Sequence, residues 1–418
     1  MTTDEPILES CVAMTPKAEP VRALFVSHDS SLYGAQLSLL GLLSSIDRER
    51  FTCTVVTAND GPLVAEMERV GIPVFVRPLT RWVISANGVK ADRIKSSFDA
   101  IRSLPERVRA IKALIDSTQA QLVYTNTVTC VDGAIAAKLR GRPHVWHLRE
   151  HIRGNRDLES LLPQAIASRL VSRLSRRVIV NSSALRAAYL SGVPAEKIDV
   201  VHNGIDISKF APDPSARAEF RSELGLMANA PIVGLVGSIT PRKGHLIFVD
   251  AAASALREHP QAVFVCIGHG EREFVRQVRA RIVDVGIGHA FHILDWRSDI
   301  ARLLQAFDLL VIASDQEAFG RTVIEAMACG LPVVATRSGG PEEIVVNGET
   351  GHLVPVNDPA AMGSAISAIL RDPRNAAGLG QAGRRRAVDI FSVSAYAGRV
   401  QSILSRLDLG RDSLEQME

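Results

Sequence analysis

Two carboxylates eight positions apart, Glu317 and Glu325, stand in Glu317-Ala-Phe319-Gly320-Arg321-Thr322-Val-Ile-Glu325, between apolar runs that end near Ala313 and restart near Val333. On one straight helix that spacing is a rise of about 12 Å, too far for both to grip one small group. A strand-to-helix loop resolves the problem. Glu317 then lies in the loop, Gly320 lets the main chain approach a ligand, and Glu325 projects from the first turns of a helix starting near Arg321. The amides of Gly320, Arg321 and Thr322 would face an anion, leaving Glu325 free to accept from two vicinal ribose hydroxyls. The alternative is a solvated helix with two ordinary surface glutamates.

A second pattern, Val236-Gly237-Ser238-Ile-Thr-Pro241-Arg242-Lys243-Gly244, follows another apolar run. Glycines admit close main-chain approach, and Arg242 and Lys243 bring charge suited to a diphosphate, or are a solvated basic pair. Gly268-His269-Gly270 ends a further run. Tyr33-Gly34-Ala35-Gln36 closes the first run and opens a helix, and by itself reads as a tight turn with a capping residue. In His147-Leu148-Arg149-Glu150-His151, strand alternation would turn His147, Arg149 and His151 to one face and make a cleft wall, unless His147 is a core histidine.

The elements that must carry these residues alternate short β-branched runs with longer helical patterns, the mark of parallel α/β sheets covered on both faces. Strands are expected near Val21–Ser27, Thr52–Thr57, Val74–Val76, Leu122–Thr125, His144–Trp146 and Arg177–Asn181. The pattern restarts at Ile232–Gly237, Ala262–Gly268, Phe291–Leu294, Leu309–Ala313, Pro332–Thr336 and Gly351–Val354. Expected helices include Ala35–Leu43, Pro62–Arg69, Arg107–Ser117, Val131–Leu139, Ala184–Leu190 and a closing Ala387–Leu407. With 418 residues, 46% apolar and 22% charged, two cores are expected. The division is a loose tail over 1–19, one domain over 20–202, a second over 203–386, and a C-terminal helix and tail over 387–418 crossing back to the first domain. Ligands of doubly wound sheets bind at strand carboxyl ends, so the cleft between the two sheets is where chemistry is expected.

Net charge is only +3, which excludes an electrostatic footprint for nucleic acid. Residues 1–200 carry 26 Lys/Arg against 20 Asp/Glu and the remainder 22 against 25, so the first half is the basic one. Five scattered cysteines, Cys11 among them, lack metal-ligand spacing and fit buried thiols of the cytoplasm. No signal segment or membrane-spanning run occurs.

The run Glu317–Pro332, with Ala306-Phe-Asp308 and Ser314 before it and Thr336-Arg-Ser-Gly-Gly340-Pro-Glu342-Glu343 and Asn347–Gly351 after it, resembles the signature of the retaining glycosyltransferases of family 4. The similarity runs from about residue 21 to 400. It implies the GT-B fold: two Rossmann-like, doubly wound parallel-sheet domains facing an interdomain cleft. It further implies transfer of a hexose or N-acetylhexosamine from a nucleotide-diphosphate sugar to a hydroxylated acceptor, which could be a polysaccharide, a lipid-linked precursor or a small metabolite.

On this resemblance Glu317, Lys243, Arg242, His147 and Arg149 are the catalytic candidates. The donor side is assigned to Gly237, Ser238, Lys243, Gly268, Trp296, Phe319, Gly320, Arg321, Thr322 and Glu325. Tyr33, Gly34, Ala35, Gln36, Glu150 and His151 fall on the acceptor or sugar side. Many relatives have arginine at the place of Ser238 and Gly-Gly-Ala-Glu where Tyr33 and Gln36 stand, and Arg149 occupies the family's histidine position. Trp296, where relatives contact the base, either stacks on it or packs structurally. No Asp-x-Asp occurs, so no metal or other cofactor is expected, positive side chains taking the metal's place. Arg-rich Ser168–Arg177 offers either a weak peripheral contact with anionic lipid, at the inner face of the membrane, or a solvated face. A nucleotide-sugar epimerase and a catalytically silent nucleotide-sugar-binding subunit share the architecture. Donor, acceptor and oligomeric state stay open.

Overall fold

The computed structural model describes residues 19–79, 81–85, 90–152, 158–160, 162–223, 225 and 229–408. Residues 1–18 of the expected tail, with Cys11, and the last ten residues lie outside them. The first half supplies β1 (Val21–Ser27), β2 (Phe51–Thr57), β3 (Val74–Val76), β4 (Val83–Ser85), β5 (Leu122–Asn126), β6 (His144–Leu148), β7 (Leu158–Ser160), β8 (Arg177–Val180) and β9 (Ile198–Val200). The second supplies β10 (Ile232–Val236), β11 (Val263–Ile267), β12 (Phe291–Leu294), β13 (Leu309–Ile312), β14 (Val333–Thr336) and β15 (His352–Val354).

Two parallel sheets result, ordered β3-β2-β1-β5-β6-β8-β9 and β12-β11-β10-β13-β14-β15, beside a small antiparallel β4-β7 pair. Strands such as Leu122–Asn126, Ile232–Val236 and Val333–Thr336 are buried along their whole length. That is what helices on both faces require, and it explains their unbroken apolar runs. In each sheet the chain order reverses at one place, between β1 and β5 and between β10 and β13. Loops leaving those neighbouring strands therefore share one edge. The fold is α/β with two such domains. Cys53, Cys130, Cys266 and Cys329 are free and buried.

Three expectations differ from the structure. Instead of one helix over Ala387–Leu407 there are two, Pro373–Phe391 and Val393–Leu404, because the Ser392 hydroxyl caps the second by accepting from Ala395 N. Ile205, in the turn-rich linker Val201–Pro214 between the two sheets, pairs with that break, donating its N–H to Phe391 O at 2.9 Å and accepting from Val393 N at 2.8 Å. The second of these helices buries Tyr396, Val400 and Leu404 in one cluster with Leu39 and Tyr124 of the first half. The helix read over Arg107–Ser117 begins at Lys90, with Pro105 inside it. The strand read over His144–Trp146 runs on to Leu148 but no further.

Candidate active site

Adjacency of β10 and β13 brings the glycine loop against the Glu317 loop, 74 residues away in sequence. Lys243 Nζ stands 2.5 Å from Glu317 Oε2, Arg242 Nη1 lies 3.8 Å from the same oxygen, and Ser314 Oγ donates to it at 3.4 Å. The loops are laced as well: Arg242 Nη1 donates to Gln316 O at 3.0 Å, and Asp315 N donates to Arg242 O at 2.9 Å. Burial alone would raise the Glu317 carboxyl. Lys243 and Arg242, with the hydrogen bonds from Lys243 and Ser314, outweigh it and hold the group below its ordinary value. Glu317 is thus an ionised side chain already held between two cations.

Gly320 takes φ +101°, a region that favours glycine, and the Arg321–Ala328 helix starts at once. Glu325 lies on this helix as expected, but its carboxylate is not free. Arg321 Nε is 2.7 Å from Oε1, because Arg and Glu four positions apart share a helix face. Burial raises the Glu325 carboxyl, and Arg321 offsets part of the rise. The Arg321 guanidinium also reaches Ser38 Oγ and Gly204 O, each at 3.4 Å, so it spans from the second domain to the first and to the linker.

Gly237 and Gly268 close the ends of β10 and β11 side by side, and a Cβ built on Gly268 would fall 1.9 Å from Gly237 O. Ile239 N donates to His269 O at 2.8 Å, completing the seam, and Ser238 is exposed at its edge. Phe319 corrects an expectation. Its ring is 2% exposed, stacks on His202 at 5.8 Å and meets Phe391 edge-on, so the side chain belongs to the hinge core and leaves only its main chain for a donor. Thr322 stays in the first turn beside Arg321. Trp296 is not a core aromatic. It is 41% exposed, edge-on to His269, whose ring in turn lies 6.5 Å from that of Tyr33. This row of three rings crosses from one domain to the other, and the sequence reading gave its middle member no role beyond the Gly268-His269-Gly270 turn.

On the first domain's side, Tyr33 and Gly34 are exposed at the helix start, and a Cβ on Gly34 would come within 4.0 Å of Arg321 Cδ. Ala35 O accepts from Asn126 Nδ2 at 3.1 Å, while Gln36 turns inward and is buried. The shared cleft wall of His147, Arg149 and His151 does not form. His147 is wholly buried, hydrogen-bonded to Tyr124 Oη and in reach of Arg149 Nη2 at 3.3 Å, and burial drives its pKa well down.

Arg149 is buried too. It donates to Asn126 Oδ1 at 2.7 Å, Asn203 Oδ1 at 2.5 Å and Tyr396 Oη at 2.9 Å, tying sheet, linker and returning helix. Glu150 Oε2 accepts from the amides of Val128 and Arg149, each at 3.3 Å, which makes it a loop staple with its carboxyl raised by burial. Only His151 feels the opposite loop: burial lowers its pKa, Glu317 raises it and Arg242 lowers it. The alternation failed because β6 ends at Leu148.

His28, just past β1 in the loop that leads to Tyr33, was given no role by the sequence reading. Its Nδ1 lies 2.9 Å from Thr127 Oγ1, and burial, then Arg81, lowers its pKa to about 4. Its only sequence signal was its place in the loop before Tyr33. Among the described residues no group of three His, Cys, Asp or Glu side chains is arranged to hold a metal ion.

Two doubly wound parallel sheets, with a cation–carboxylate cluster at the carboxyl ends of one, define the two-domain GT-B architecture. HepE of Anabaena, solved with UDP and glucose, matches this fold with TM-score 0.78 and 28% identity, over 93% of this chain and 100% of its own. The profile described as Glycosyltransferase Family 4 matches residues 33–209, and that described as Glycosyl transferases group 1 matches residues 216–386. The chain belongs to the group 1 glycosyltransferases of family 4. It is 32% identical to the GDP-mannose-dependent alpha-(1-6)-phosphatidylinositol monomannoside mannosyltransferase of Mycolicibacterium smegmatis over 259 residues, 59% of this chain and 66% of that protein. It thus spans just under two thirds of that relative's length. With the UDP-Gal:alpha-D-GlcNAc-diphosphoundecaprenol alpha-1,3-galactosyltransferase of Escherichia coli it shares 26% identity over 370 residues, 82% of this chain and 89% of that one.

Proposed function

We propose that the protein is a retaining glycosyltransferase that moves a hexose or N-acetylhexosamine from a nucleotide-diphosphate sugar to a hydroxylated acceptor. The observation that carries this is the cluster of Lys243, Arg242 and Glu317 at the switch point of the second sheet, with His151 coupled to it from the first. As the anomeric C–O bond breaks, negative charge grows on the leaving diphosphate. Lys243, Arg242 and the first-turn amides after Gly320 stabilise it. Glu317, already ionised, orients the donor sugar. Glu325 accepts from the ribose with the oxygen Arg321 leaves open, and the acceptor hydroxyl attacks from the leaving-group face while donor phosphate takes its proton. These cations do the work a divalent metal does elsewhere, so EDTA leaves turnover unchanged.

The similarity to a UDP-bound structure and to GDP-mannose and UDP-galactose enzymes supports a nucleoside-diphosphate hexose as donor and a lipid-linked or inositol-type acceptor. The second domain, 203–386, holds the donor, and the first, 20–202, presents the acceptor. The Gln164–Leu174 helix, with Arg169, Arg173 and Ile166 outward and Arg176 just beyond it, rests weakly on anionic lipid at the cytoplasmic face. No helix among the described residues is long and apolar enough to cross a membrane. Thermal-shift titration with UDP-, GDP- and ADP-sugars, followed by product analysis with the stabilising donor, tests the reading. Stabilisation by none of them, or an altered sugar nucleotide with no transfer, would refute it. Co-sedimentation with vesicles containing phosphatidylglycerol tests the lipid contact, which fails if the protein stays in the supernatant at low salt.

A further inference from the structure

The loop after β14 carries a carboxylate that leaves its own domain. Glu343, on the short Pro341–Ile344 helix, accepts through Oε1 from the main-chain amides of Ser183 at 2.7 Å and Ala184 at 3.1 Å. Both belong to the Ser183–Tyr189 helix of the first domain. Its other oxygen lies 3.0 Å from His202 Nε2 at the start of the linker. The backbone at Glu343 is fixed from behind: Arg386 donates to Glu343 O at 3.0 Å and to Ile344 O at 2.8 Å. The domains are close-packed here, since a Cβ on Gly339 would come 3.2 Å from Ala184 Cβ.

This loop is also the one that holds the candidate catalytic carboxylate. Glu317 N donates to Ser338 O and Gly340 N donates to Glu317 O, each at 2.8 Å, and His202 stacks on Phe319 two residues beyond Glu317. A displacement of Glu343 relative to the first domain is therefore transmitted to Glu317 through four residues of rigid, hydrogen-bonded chain.

We propose that Glu343 is a positioning residue, an interdomain clasp that holds the Glu317 loop against the first domain in the geometry used for transfer. The functional half of this rests on the glycosyl-transfer reading; the structural half does not. Two charge-accepting bonds to amides and one to histidine cross the interface at a single carboxylate, and the domains part there only when all three are released. Truncation to alanine removes them together. Glutamine keeps a carbonyl oxygen for the two amides. From the other side, Ser183→Pro deletes one donor at the first helical position, where proline is tolerated, and Ser182 before it is already extended at φ −158° and ψ 159°.

The test combines small-angle scattering of the full chain with nucleotide binding and donor turnover for wild type, Glu343→Ala, Glu343→Gln and Ser183→Pro. Glu343→Ala is expected to enlarge the radius of gyration and lower kcat about tenfold or more, the scale of losing hydrogen bonds to a charged group, with UDP or GDP affinity unchanged. Glu343→Gln returns both readouts towards wild type, and Ser183→Pro falls between. An unchanged radius of gyration in both Glu343→Ala and Ser183→Pro overturns the clasp. So does equal impairment by alanine and glutamine. If wild type transfers no sugar, the scattering comparison still decides the clasp while the glycosyl-transfer reading falls by itself.

Discussion

Lys243→Met is the sharpest perturbation of the site. It keeps an unbranched stem beside Gly237, where a Cβ would lie 3.8 Å from Lys243 Cε, and removes only the charge 2.5 Å from Glu317 Oε2. A hydrogen bond to a charged group contributes about 1.5–3 kcal/mol, so nucleoside-diphosphate affinity is expected to fall about 10–100-fold. The loss in kcat is larger, about 10²–10³-fold, because charge on the diphosphate is greatest in the transition state. Arg242, 3.8 Å from the same carboxylate, limits the damage.

A pH signature accompanies this. In wild type the Glu317 carboxyl is held below its ordinary 4.5, so its stabilising contribution is complete above that pH and is lost as pH falls through the depressed value. Without Lys243, burial is opposed by less positive charge and the carboxyl rises. The gap between its folded and ordinary values then narrows, so the part of the acid-side Tm loss that Glu317 contributes becomes smaller. Calorimetric titration with UDP and GDP, product formation and Tm between pH 3 and 7 give the three readouts. Wild-type affinity and turnover in Lys243→Met, or an acid-side Tm loss as large as in wild type, would refute the reasoning.

Glu325→Ala is expected to weaken ribonucleotide binding about tenfold or more while leaving a 2′,3′-dideoxy analogue unaffected; calorimetry showing equal losses for both would disconnect Glu325 from the ribose. Gly268→Ala places a Cβ 1.9 Å from Gly237 O, and the forced separation of the two loops should cost about 1–3 kcal/mol in a denaturant titration. Arg149→Met strands the partners at Asn126, Asn203 and Tyr396, and should cost about 3 kcal/mol or more in the same measurement.

Much of this was legible in the sequence because it is local. Apolar runs bounded by turn residues marked β1, β3 and β12 at their observed limits, although β3 and β12 are partly buried edge strands and only β1 lies inside its sheet. The loop-then-helix reading of Glu317 and Glu325 followed from helix rise and Gly320. What failed was long-range or depended on one hydrogen bond. Ser392 breaks the last helix by capping, which an apolar period running through Phe391 and Val393 hides. His147 alternates with Arg149 on paper, yet Tyr124 and Tyr396 close over both. Arg321 was read for its amide, whereas its guanidinium claims Glu325 and reaches the first domain. The Tyr33–His269–Trp296 row joins residues that nothing in their spacing relates.

Which domain supplies each partner bears on the proposed transfer. Side chains in the second sheet's loops are held mainly by partners within that domain, as Glu317 is by Lys243, Arg242 and Ser314. On the proposed function this cluster is the donor site, and these contacts of Glu317 lie within the second domain. Other contacts reach across between the domains: Tyr33 to His269, Glu343 to Ser183, and Arg149 from the first sheet to Asn203. Substitutions in the first group should therefore change donor affinity and kcat together. Those in the second should act on kcat with affinity preserved, because they alter how the acceptor domain meets a donor already bound. Comparing the Lys243 and Glu343 variants in one assay separates assembly of the donor site from its presentation to the acceptor.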